Sequence, residues 1–62
     1  MLSNGHYDMV KILHEMSSLL WFIKEHAIKE AAKYDNESLV YYKELERDLE
    51  KHIAKLEDML LK

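Results

Sequence analysis

The sequence predicts an all-α protein, an antiparallel two-helix hairpin expected to dimerise into a four-helix bundle. Three observations lead there. Proline is absent and the only glycine is Gly5, so nothing after it forbids helix, and Ala, Leu, Met, Glu and Lys favour it. Apolar residues recur at alternating steps of four and three, in two stripes that are out of phase. The chain also carries more large apolar residues than one seam between two helices can cover.

The first stripe is Met9, Leu13, Met16, Leu20, Ile23, Ala27, Glu30 and Tyr34, broken only by Glu30. It predicts a helix over about residues 5–34, with Ser3 or Asn4 as its N-cap. The second stripe is Tyr42, Leu45, Leu49, His52, Leu56 and Met59, broken only by His52. It predicts a helix over about 37–61. A single helix through both is the rival reading. Extending the first stripe past Tyr34 would place Glu37, Tyr41, Glu44 and Asp48 on the seam, three acids in four positions. The segment Asp35-Asn36-Glu37-Ser38 also suits a break, because Asn tolerates the conformation that ends a helix and Asp or Asn can cap the next. The turn is therefore expected at about residues 35–36, within one domain spanning 1–62. A turn this short sets the helices antiparallel, with facing residue numbers summing to about 71–73. Glu30 then lies near Tyr42, His26 near Glu46, Leu20 near His52 and Leu13 near Met59.

Pairing follows from the surplus of apolar surface. A chain of 62 residues has a marginal core, and with no cysteine it has no disulfide to reinforce it. Across Leu19-Leu20-Trp21-Phe22-Ile23 the first helix is apolar almost all round, as in an element buried on several sides. Leu19, Trp21, Phe22 and Ile28 on the first helix, with His52, Ile53 and Leu60 on the second, are the expected interface. Each large side chain left in water forgoes about 1.5–3 kcal/mol of burial. A homodimer is the expected partner, and an unidentified protein is the alternative owner of the apolar face. His52, a polar residue near the middle of its stripe, would fix the register of the pair.

Charge and composition exclude several classes. The net charge is −3, and the excess acid lies in residues 35–62, so no basic stripe offers itself to nucleic acid. That counts against a likeness to the small RNA-binding hairpins of plasmid control. The longest apolar run is Leu19–Ile23, too short for a membrane span. A cytoplasmic location is the expectation in the absence of a secretory pattern or cysteines.

No motif names a reaction: there is no phosphate loop, no His-Glu-x-x-His pair, no nucleophile beside a base, so no enzyme and no cofactor are expected. His26 and Glu30 share a helix face, and Glu46 should stand opposite them. One imidazole and two carboxylates would suit iron, manganese or zinc. These three are the metal candidates, against the plainer reading of a seam glutamate satisfied by a tyrosine. Glu15, six residues before Trp21-Phe22, and Asp35-x-Glu37, opening a helix that reaches His52, are similar to the half-ferritin layout. Small rubrerythrin-like and encapsulated-ferritin hairpins have that layout and dimerise around di-iron sites. The resemblance implies a bundle with a Glu on the first helix and a Glu-x-x-His on the second. Here Leu49 stands three before His52, so the bridging carboxylate is missing and iron chemistry is not implied.

Overall fold

The computed structural model describes residues 3–34 and 36–62. Every element among them is helical. Helix α1 is Asn4–Phe22, a five-residue π turn covers Ile23–Ala27, helix α2 is Ile28–Tyr34, and helix α3 is Asn36–Leu60. The first three form one rod, because the residues joining them keep right-handed helical dihedrals. Of the expected turn at 35–36, Asp35 lies outside the described residues and Asn36 already opens α3.

Ser3 caps the rod. Its backbone is extended, and its hydroxyl oxygen accepts the His6 backbone N–H at 3.1 Å, satisfying one of the donors a helix start leaves unpaired. The molecule is 47 Å long. One continuous helix over residues 4–60 would be about 85 Å, so the chain doubles back. Leu13 lies with Leu60 at the open end, and Ala31 lies with Tyr42 near the turn. The two rods are antiparallel, in the register expected from a turn near residue 35.

The seam contains Met9, Leu13, Met16, Leu20, Ile23, Ala27, Ile28 and Ala31 on one rod. Tyr42, Leu45, Leu49, Ile53, Leu56 and Leu60 face them from α3. Only Ile23, at 3% exposure, and Ala31, at 6%, are buried among the described residues.

Two expectations about the seam are corrected. Glu30 is exposed and Ala31 takes its place, because the π turn inserts one extra residue into the helical count. The Ile28 N–H donates to the Ile23 carbonyl five residues back, and everything beyond is rotated by one position. On α3 the seam is centred on Ile53 and Leu60, while His52 and Met59 are exposed. Both choices keep heptad spacing, and the one adopted puts isoleucine and leucine on the seam in place of histidine and methionine. Ile53 and Leu60, expected on the outer interface, thus belong to the hairpin's own seam, as does the half-buried Ile28.

The ion pairs Lys11–Glu15, Glu25–Lys29 and Asp58–Lys62 are each four residues apart on one exposed helix face. Such pairs contribute about 0.3–0.5 kcal/mol at best. The fold rests on its thin apolar seam.

Candidate functional site

Two features stand out on the surface. The first is an open cleft of about 310 Å³ beside the turn, lined by Phe22, His26, Ala27, Glu30, Ala31, Tyr34, Ser38 and Tyr42. Ala27 and Ala31 form a small-residue floor. The Phe22 and His26 rings wall one side with centroids 5.0 Å apart, one helical turn apart on the rod. Glu30 and Tyr42 meet here, as the register predicts. Glu46 does not line the cleft; its position on α3 turns it to the other flank, with Leu39 and Ile53. No three His, Asp or Glu residues among those described could jointly hold a metal ion. The proposed set of His26, Glu30 and Glu46 is not assembled.

The second feature is the face on which this cleft opens. Phe22 and His26 continue a stripe on the first rod, Asp8, Ile12, Glu15, Leu19, Phe22 and His26, at steps of four and three. On α3, Ser38 begins a matching stripe of Tyr41, Leu45, Asp48, His52, Lys55 and Met59 at the same steps. Because the cleft joins Phe22 and His26 to Ser38 across the seam, both stripes lie on one side of the hairpin. Ile12, Leu19, Phe22, Tyr41 and Met59 are all large and exposed there, with Met16 and Leu45 half-buried beneath them.

The expected interface residues divide between faces. Leu19, Phe22 and His52 are together on this one. Trp21, 66% exposed, is one residue on from Leu20 and falls on the opposite flank with Val10. On that flank, at the open end, Leu13 and Leu60 lie with Glu57 and Leu61. Ile12, Tyr41 and Met59 were not among the expected residues. The signal that finds Tyr41 and Met59 is the second heptad stripe on α3, which shares Leu45, His52 and Met59 with the one taken for the seam, and Ile12 is found by its step of seven to Leu19 on the first rod.

No described helix is long and apolar enough to cross a membrane. Compared with known protein families, curated proteins and solved structures, the chain has no match.

Proposed function

We propose that this chain is a small interaction or structural protein that self-associates through the face of Ile12, Leu19, Phe22, Tyr41 and Met59, two hairpins forming a four-helix bundle. The observation that carries the reading is this group of large apolar residues, contributed by both rods, interrupted on α3 by Asp48, His52 and Lys55, and left open by the hairpin. Area supports it. A compact monomer of 7.5 kDa should expose about 4,200 Å², and the hairpin exposes 5115 Å². The surplus is comparable to one partner's share of a standard interface, about 800 Å². A face 47 Å long and 16 Å wide has room for it. The lack of cysteine fits work in the reducing cytoplasm.

Equilibrium sedimentation of the full chain tests the reading. A mass twice that of the chain is expected at tens of micromolar. Phe22→Glu places a charge on the proposed face in each copy and removes two aromatic contacts. It should raise the dissociation constant at least about a hundredfold while leaving helicity intact, because Phe22 is already half exposed in the hairpin. Trp21→Glu, on the other flank, should leave the dimer unchanged. A helical monomer at all concentrations would overturn self-association and assign the face to a different protein.

A further inference from the structure

We infer that the two copies pair about a twofold axis crossing α3 at His52, with Asp48 of each copy against Lys55 of the other. This rests on the self-association reading and specifies its geometry. The order of residues along the open face carries it. On α3 the stripe runs Tyr41, the half-buried Leu45, Asp48, His52, Lys55 and Met59, apolar at both ends and polar in the middle. Reversed about His52, the stripe matches itself. Leu45 meets Met59 of the second copy, and the Asp48 carboxylate meets the Lys55 ammonium.

The first rod is self-complementary about the same level. A twofold axis perpendicular to the helices and lying in the face stacks each rod antiparallel on its own counterpart. On the first rod, the level opposite His52 falls between Leu19 and Phe22, from the register that sets Leu13 beside Leu60 and Ala31 beside Tyr42. About that level Leu19 meets Phe22 of the second copy, and Glu15 meets His26. One axis therefore pairs Leu19 with Phe22 and Leu45 with Met59, and sets Glu15 against His26 and Asp48 against Lys55, while Ile12 falls at the level of Lys29 and Glu30 and Tyr41 lies past the end of the second copy's α3. In a closed dimer each contact occurs twice.

Asp48 and Lys55 are free to pair in this way. Both are exposed, and neither takes part in an ion pair among the described residues, where the pairs are Lys11–Glu15, Glu25–Lys29 and Asp58–Lys62. Their own helix offers Asp48 a lysine three residues on and a histidine four on, and neither contact is formed. Charge complementarity of this kind fixes register and suppresses wrong pairings more than it adds affinity.

The absence of cysteine makes the test direct. Residues on a twofold axis face their own counterparts, so a single cysteine there bonds to itself. His52→Cys, under mild oxidation, should give a disulfide-linked dimer on a denaturing gel within minutes. Val40→Cys, exposed on the outer side of α3, should remain largely unlinked. In sedimentation, Asp48→Lys and Lys55→Asp should each weaken the dimer about tenfold or more, since each reversal acts twice. The double variant Asp48→Lys/Lys55→Asp should return to within about threefold of the parent. Circular dichroism verifies that all variants stay helical. A parental dimer in which His52→Cys fails to cross-link and the double variant is no tighter than the singles would overturn this axis while self-association stands. A monomeric parent chain would remove both.

Discussion

Ile23 is the residue on which the hairpin depends most. It stands where α1 passes into the π turn and is the most buried side chain described, at 3% exposure. Truncating a buried isoleucine to alanine typically costs 2–5 kcal/mol, from lost transfer energy and the cavity left behind. A domain of this size has only a few kcal/mol to lose. Ile23→Ala should therefore lose most of its helical circular dichroism at 25 °C, or melt at least about 15 °C lower. The neighbouring Phe22→Ala should stay folded while weakening association, because Phe22 contributes little to the seam. Equal losses at both positions would show that the hairpin has no core apart from its assembly.

At the level of elements, the helices and their antiparallel register could be read from spacing alone, because heptad stripes and a capping-prone break are local chemistry. The π turn could not. An inserted residue leaves no compositional mark, and Ile23-Lys24-Glu25-His26-Ala27 contains nothing unsuited to an ordinary α-helix. What betrays it is Glu30 on an otherwise apolar stripe, which the extra residue rotates outward in favour of Ala31. The choice between His52 and Ile53 for the seam was hidden for a different reason. The apolar surface of α3 is wide enough for two adjacent heptad stripes, and periodicity alone does not rank them.

The same rephasing makes an unusual prediction. Removing one residue from the middle of a packed helix normally rotates everything beyond it off the seam. Here the π turn already accommodates a surplus residue, so deleting the exposed Lys24 should restore regular α-helical bonding. Ile28 and Ala31 would remain on the seam. The deletion variant should keep its full helical signal and melt no lower than the parent. Deleting the exposed Ser18, in the regular part of α1, should instead abolish cooperative melting by rotating Met9, Leu13 and Met16 off the seam. Collapse of the Lys24 deletion would mean that the wide turn is required by the packing around Phe22 and His26.

For the whole molecule, the decisive question is which of two exposed apolar flanks becomes buried, and Trp21 reports on it without any substitution. It is the only tryptophan, it is 66% exposed in the hairpin, and it lies on the flank away from Ile12, Leu19 and Phe22. If the Phe22 flank pairs, dilution through the dissociation range should halve the mass while Trp21 emission keeps its wavelength. Acrylamide should quench it equally well in both states. If the flank of Val10, Trp21 and Leu61 pairs instead, emission should shift to the blue and quenching should fall as the mass doubles. The charge pattern favours the first outcome. The Trp21 flank meets α3 where Glu46, Glu50 and Glu57 line up with Lys43 as their one base, and a twofold pairing there would bring together two rows with a net excess of acid, each repelling the other. On the Phe22 flank the acids and bases alternate about His52 and can neutralise one another. A spectrum unmoved by dimerisation would therefore identify the buried face in the unmodified protein.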